Sequence, residues 1–209
     1  QQFRNDYLTS SRVMLLISTL FLLFPLITYG IVVHSDASPY ILPYCIVPIF
    51  IRIFMDSRTA FIAHLMTILM CVPAVSQPAE FVTIQTLAGL TAIISLQQLN
   101  ERSELFRAIL IVLAVSVLAY ISIQLINRRV LYIEDVNYTD LISIAISCLL
   151  MMISYLLLIP IEKIFGFTSN VTLIELSNTN NLLLRRMSEE APGTFQHSMQ
   201  VANLAAAVA

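Results

Sequence analysis

Charged residues are scarce in this chain, and their scarcity is the first constraint on what kind of protein it is. Of its 209 residues, 11% are charged and 58% are hydrophobic, and the mean hydropathy is +0.84. A soluble globular domain has about 25% charged and about 45–50% apolar residues. The net charge is −2 and no basic run occurs, so nucleic acid is not expected as a partner. The composition predicts a membrane protein whose first partner is the lipid bilayer.

Patterns that bind metals or phosphates are also missing. The three cysteines are widely separated in apolar runs, without a CxxC or Cys/His cluster, so we interpret them as small buried residues. No glycine-rich phosphate loop, Ser/His/Asp set or pair of mid-segment carboxylates appears. A pump or ion-coupled transporter usually needs charges inside its bundle, and their scarcity argues against that class. The polar start of the chain and the long first apolar run also lack the pattern of a secretory signal.

Six apolar segments approach the roughly 20 residues that a membrane-spanning helix needs. They are Val13–Val33, Pro39–Met55, Thr59–Val75, Glu80–Leu99, Glu104–Ile126 and Thr139–Phe165. Ser38-Pro39 predicts a capped start of the second segment, and Pro43 and Pro48 predict a kink within it. Asp56 or Ser57 is expected to cap the third segment. Gly89 and its small neighbours predict close helix packing in the fourth.

The distribution of basic residues predicts the orientation of the bundle. Six spans place both ends on one side of the membrane, and nine of the eleven Lys and Arg residues fall on that side. The other side has Arg128 and Arg129 alone, which Glu134 and Asp135 offset. Since positive residues are enriched in cytoplasmic loops, both ends of the chain are expected in the cytoplasm.

The composition becomes more polar after the sixth segment. Val171–Leu176 is expected to form a short helix and Leu182–Glu190 an amphipathic one. Pro192-Gly193 indicates a turn, after which Thr194 is expected to cap a last helix, with His197 in its first turn. The predicted class is all-α, with four parts: a cytoplasmic stub at 1–12, a six-span bundle at 13–166, coupling helices at 167–190 and the start of a soluble domain at 191–209.

Two histidines are the candidate functional residues. Spacing alone does not make His197 a metal ligand, because no second histidine or carboxylate lies at ligand spacing. His64 lies within the third segment, where an ionisable residue indicates either a functional site or a hydrogen bond between helices. We favour the hydrogen bond. Four tyrosines are expected at the membrane interface rather than in a ligand cage, namely Tyr40, Tyr44, Tyr132 and Tyr138.

Six short stretches carry a family resemblance. They are Ser38–Pro43, Asp56–Ala60, Leu158–Gly166, Leu173–Ser177, Leu184–Met187 and Glu190–Ser198. Together they resemble the seven-transmembrane receptors with an intracellular HD hydrolase domain. The resemblance covers essentially the whole chain, and its C-terminal third is the specific part.

The resemblance implies a bacterial inner-membrane protein with an external domain, seven spans and a cytoplasmic HD phosphohydrolase. Members of this type hydrolyse cyclic di-AMP at a two-metal site, and Mn²⁺ or Fe²⁺ is the expected metal. The six segments would be spans two to seven, with the external domain and first span ahead of Gln1. His197 matches the first metal-ligand histidine of the family. The other ligands would lie beyond Ala209, so the present chain is expected to be inactive by itself.

Two alternatives remain open from the residues. One is a small-molecule transporter or ligand-binding membrane protein without catalysis, which the prolines within the segments and His64 favour. The other is a scaffold whose tail docks a partner. A homodimer is considered as a partner state, and the sequence does not choose between a dimer and a monomer.

Overall fold

The computed structural model describes residues 11–35, 37–96, 102–128, 137–165 and 182–208. All regular elements within these ranges are helical, which confirms the all-α prediction. The α-helices are α1 Ser11–His34, α2 Ile46–Phe54, α3 Ser57–Cys71, α4 Pro78–Ser95, α5 Arg102–Arg128, α6 Tyr138–Leu150, α7 Ile153–Phe165, α8 Leu182–Glu190 and α9 Pro192–Val208. The chain divides into two compact units, Gln1–Ser169 and Asn170–Ala209.

Four of the predicted segments form helices long and apolar enough to cross a membrane. Their spanning stretches are Met14–His34, Ser57–Ala74, Pro78–Ser95 and Phe106–Asn127. Each of these helices buries one side and exposes large apolar residues on another, as Phe24 and Leu22 do in α1. Such a pattern is expected where a helix packs on its neighbours on one side and faces lipid on the other. The second and sixth segments form shorter helices, so the count of six spans stays a prediction.

The second segment lies at the centre of the bundle and is not the single kinked helix that its prolines predict. A 3-10 turn at Pro39–Ile41 is followed by extended backbone at Leu42, and α2 begins only at Ile46. The nine residues from Pro43 to Ile51 are all buried, because α1, α3, α4, α6 and α7 pack around the segment. A helix of nine residues is only about 14 Å long, about half of the apolar thickness of a bilayer.

The sixth segment is also interrupted. A turn at Met151 and Met152 separates α6 from α7, and Ser154 Oγ donates a hydrogen bond to the Met151 carbonyl at 2.6 Å. Irregular backbone at membrane depth is stable only where protein or water satisfies its polar groups. The Leu42 carbonyl meets this condition, since Ser147 Oγ of α6 donates to it at 3.2 Å.

Helix caps fall where the sequence predicts them in the bundle. Ser38 accepts a hydrogen bond from the Tyr40 amide, and Asp56 accepts one from the Thr59 amide at 3.4 Å. The Thr59 hydroxyl also donates to the Asp56 carboxylate. Partial burial raises the pKa of Asp56, but the Thr59 hydrogen bonds outweigh burial and hold this pKa below its usual value.

The second unit contains α8 and α9. Helix α8 has the predicted bounds, whereas α9 begins at Pro192 rather than after Pro192-Gly193. Proline suits the first helical position because its missing N–H has no helical acceptor there. Thr194 therefore lies in the first turn rather than at the cap, and His197 lies in the second turn. The predicted helix at Val171–Leu176 lies outside the described residues.

Candidate functional site

A buried polar cluster lies at one end of the bundle, which we call the carboxylate end after Glu80 and Asp140. Glu80 lies in the first turn of α4 and is 5% exposed. Its Oε1 accepts hydrogen bonds from Tyr40 Oη at 3.3 Å and from Gln124 Nε2 at 3.0 Å. These bonds therefore connect the 3-10 turn, α4 and α5.

Asp140 likewise accepts hydrogen bonds that connect two helices, in this case α5 and α6. It lies in the first turn of α6, and its Oδ2 accepts hydrogen bonds from Tyr120 Oη and Asn137 Nδ2, both at 3.1 Å. Tyr120 packs edge-on against Tyr40, with 6.1 Å between the ring centroids. The two carboxylates are thus linked through a pair of tyrosines. Four elements of the bundle meet in one polar network at this end.

The sequence alone does not reveal most members of this network. Tyr40 and Tyr44 are buried among the helices, and their position at the membrane interface stays a prediction. Tyr138 is exposed, and Tyr132 lies outside the described residues. An acidic residue in a first helical turn is stabilised by the helix dipole, which is sufficient to explain Glu80 from the sequence. The spacing does not reveal that Glu80 is paired with a tyrosine 40 residues earlier.

His64 lies at the contact between α3 and α4 and is 1% exposed. Its Nε2 is 2.9 Å from the Gln85 carbonyl oxygen, a distance that fits an N–H donor. Gly89 lies directly beside the ring, and a Cβ at that position would overlap the ring atoms. This is the close helix packing that Gly89 predicts, and the geometry gives His64 the hydrogen-bonding role that we favour.

A second buried hydroxyl cluster joins the first three segments. Thr28 Oγ1 lies 2.9 Å from Tyr44 Oη and 3.5 Å from Cys71 Sγ. The same hydroxyl donates to the Phe24 carbonyl of its own helix at 2.7 Å. Because all of these groups are buried, they stabilise the bundle without offering an open site.

His197 lies on an exposed part of α9. Within the described ranges, His, Cys, Asp and Glu side chains form no group of three that could hold a metal ion. A two-metal hydrolytic site needs several ligands around metals about 3.5–4 Å apart. His197 therefore supplies one candidate ligand, and the described residues do not form a metal centre by themselves.

Comparisons with known proteins find a family and several relatives of this chain. The family model of the 7TM receptor with intracellular HD hydrolase matches residues 1–169. A cyclic-di-AMP phosphodiesterase PgpH of Listeria monocytogenes is 28% identical over 176 residues, which is 81% of this chain and 24% of that protein. The protein of the same name from Bacillus subtilis is 32% identical over 122 residues, 58% of this chain and 17% of the relative. The uncharacterized protein slr0104 of Synechocystis is 49% identical over 49 residues, 23% of this chain and 6% of its own length.

The chain thus spans about a quarter or less of these curated relatives. No solved structure matches it. The family match covers the entire bundle, including both interrupted segments and the polar network at the carboxylate end. The apolar helices and the family match together identify a multi-pass membrane protein. The chain belongs to the family of seven-transmembrane receptors with an intracellular HD hydrolase.

Proposed function

We propose that this chain is the membrane and coupling region of a receptor that hydrolyses a cyclic dinucleotide, such as cyclic di-AMP. The observation that carries the proposal is the family match over residues 1–169. The Listeria and Bacillus relatives, whose names state that activity, support the choice of substrate class. In this proposal the hydrolytic centre belongs to the intact protein, and the bundle anchors and regulates it.

The proposed location is the bacterial inner membrane, with both ends of this chain in the cytoplasm. The support is the asymmetry of the basic residues, nine of eleven of which lie on one side of a six-span arrangement. On that side, Arg52 lies in the last turn of α2, Arg58 in the first turn of α3 and Lys163 in the last turn of α7. The carboxylate end then faces outward, where it would meet an external domain.

His197 is proposed as the first metal ligand of the hydrolase domain. HD hydrolases generally use divalent metals, and Mn²⁺ or Fe²⁺ is proposed here. Such metals, when bound by the complete ligand set, activate a water molecule for attack on a phosphodiester. The exposure of His197 on α9 leaves its ring available to ligands from outside the described chain.

Signal transfer is proposed to run from the bundle through the sixth segment and the coupling helices to His197. The support is chain continuity, because α7 leads through residues 166–181 to α8, and α9 follows α8 after Ala191. The exposed faces of α8 include Leu182 and Leu183. A displacement of the sixth segment would therefore act on the hydrolase domain through a short connection.

The test is hydrolysis of cyclic di-AMP by the intact protein in lipid nanodiscs supplied with Mn²⁺ or Fe²⁺. His197→Ala is expected to abolish measurable product formation and to lower the bound metal content. Gln196→Ala changes the adjacent exposed residue and is expected to retain both, so it is the matched control. Absence of hydrolysis by the wild-type protein, or full activity of His197→Ala, would remove the proposal.

A further inference from the structure

The two interrupted segments meet at one small internal cavity. Cys45, at the start of α2, lines it from the second segment, and Met151, at the end of α6, lines it from the sixth. Helices α4 and α5 supply other parts of the wall. Membrane proteins place ligand sites at interrupted helices, because polar backbone and side chains become available there. The position of this cavity therefore makes it a candidate ligand site.

The wall of the cavity includes polar side chains as well as apolar ones. Four hydrogen-bonding side chains line it, namely Tyr40, Gln85, Ser116 and Ser147. Three of them already have partners: Tyr40 bonds to Glu80, Ser116 to the Val112 carbonyl, and Ser147 to the Leu42 carbonyl.

Gln85 differs from the other three. Its residue is 6% exposed and its backbone carbonyl accepts from His64, yet no described residue hydrogen-bonds to its side-chain amide. Gln85 is not among the described residues with fully buried, unpartnered side-chain atoms, so its amide keeps surface that a small molecule can reach. Since the Gln85 side chain lines the cavity, a molecule in the cavity can hydrogen-bond to this amide.

The size and charge of the cavity define the class of that molecule. The cavity has room for about one water molecule. None of the residues that line it is a carboxylate or a cation, and an unpaired ion at membrane depth would be costly. A neutral molecule that both donates and accepts hydrogen bonds matches the hydroxyls and the amide.

We propose that this cavity is a water-binding site at the junction of the two interrupted segments, with the Gln85 amide as its principal ligand. The bound water donates to the amide oxygen or accepts from the amide nitrogen, and the nearby hydroxyls supply further contacts. The site lies wholly within the bundle and does not depend on the proposed hydrolytic function. A water between the two interruptions would let them shift slightly without breaking direct hydrogen bonds.

The cysteines provide internal probes of hydration. Cys45 and Cys148 line the cavity, whereas Cys71 is equally buried and does not line it. The intact protein in nanodiscs is transferred to D₂O, and conversion of S–H to S–D is followed by infrared spectroscopy. Spectra of Cys45→Ala, Cys148→Ala and Cys71→Ala assign each band by difference. Cys45 and Cys148 are expected to exchange at least about tenfold faster than Cys71. This ratio corresponds to an opening free energy that is about 1.4 kcal/mol lower at the two cavity cysteines.

Gln85→Leu tests the named ligand. It is expected to slow exchange at Cys45 and Cys148 toward the Cys71 rate, because leucine fills similar space and offers no hydrogen bond. Thr86→Val is the matched control, since Thr86 Oγ1 is buried and unpartnered among the described residues but does not line the cavity. This control should leave all three rates unchanged.

Two results would overturn the proposal. Equal exchange rates for the three thiols in the wild-type protein would show a dry cavity, and this comparison stands even if Gln85→Leu fails to fold. A melting temperature that rises in NaCl but not in choline chloride, with the difference lost in Gln85→Leu, would assign the site to a cation instead. Fast exchange at the two cavity thiols without such a salt effect supports the water site.

Discussion

The membrane bundle and the helices that follow it differ in the surroundings of their candidate histidines, His64 and His197. His64 is buried between two helices and hydrogen-bonds to a backbone carbonyl 2.9 Å away. His197 is exposed on a helix of the second unit, and α8, which precedes that helix along the chain, has no buried residue. The bundle thus pairs many of its buried polar groups within this chain, whereas the tail presents its groups outward. Substitutions in the bundle should therefore change folding, and those in the tail should act mainly on activity.

The largest effect is expected at the helix contact that Gly89 permits. Gly89→Leu would drive a side chain into the His64 ring and force α3 and α4 apart, at a cost of about 3 kcal/mol. Gly30→Leu is the matched control, because a Cβ at Gly30 meets no atom within 4 Å. The measurement is thermal unfolding of the intact protein in detergent. Equal melting temperatures for the two variants would contradict a close α3–α4 contact.

The next effect is expected at the carboxylate end. Glu80→Leu leaves the Tyr40 hydroxyl and the Gln124 amide without their shared acceptor, so we expect a loss of about 2 kcal/mol. Glu189→Leu removes an exposed carboxylate from α8 and should change the unfolding free energy of the bundle by less than about 0.5 kcal/mol. If denaturant titration found the two losses equal, the carboxylate end would have no special role in stability.

A smaller effect is expected at the Asp56 cap. Asp56→Ala removes the acceptor of the Thr59 amide and should lower stability by about 1 kcal/mol, whereas Asp56→Asn keeps a good cap. Because the pKa of Asp56 is lowered in the folded protein, its charged form stabilises the fold above the usual pKa of about 4. That contribution is lost as the pH falls through the lowered value.

The pH dependence is measured by unfolding the wild-type protein and Asp56→Asn across the acid range. The difference in unfolding free energy between the wild type and Asp56→Asn should shrink as the carboxylate is protonated, because asparagine does not titrate. A difference between them that stays constant with pH would contradict the proposed role of the charge.

The smallest effect is expected in the tail. Arg185 Nε donates to Glu189 Oε1 at 3.0 Å, and both side chains are exposed. Exposed pairs of this spacing contribute about 0.3–0.5 kcal/mol. Arg185→Ala should therefore leave the melting temperature of the bundle unchanged, while circular dichroism of the intact protein detects at most slight loss of helix. A large loss of bundle stability would show that the tail does more than present groups outward.

Much of this architecture follows directly from the residue pattern. The long apolar runs predict α1, α3, α4 and α5, because a bilayer leaves isolated backbone polar groups unsatisfied unless they form helices. Asp56 and Ser38 predict their caps, and the resemblance of the chain predicts the family that the comparison confirms. The coupling helix α8 also follows from its amphipathic spacing.

Other features depended on contacts between distant residues. Pro43 and Pro48 indicate a bend, but only packing from five helices determines that the second segment is interrupted and is buried from Pro43 to Ile51. The break between α6 and α7 has no proline or glycine at Met151 and Met152. The sequence likewise does not reveal the pairing of Tyr40 with Glu80, because the two residues are 40 positions apart.

The sequence by itself determined the membrane environment, the helical class and the family, and the resemblance to that family made His197 the proposed ligand. Hydrophobicity and local caps act within a few residues, so they can be deduced from the chain alone. The tertiary structure decided where the polar side chains meet, including the carboxylate end, the His64–Gly89 contact and the cavity beside Gln85. Each of these depends on side chains from different helices approaching within a few ångströms, which no local pattern specifies.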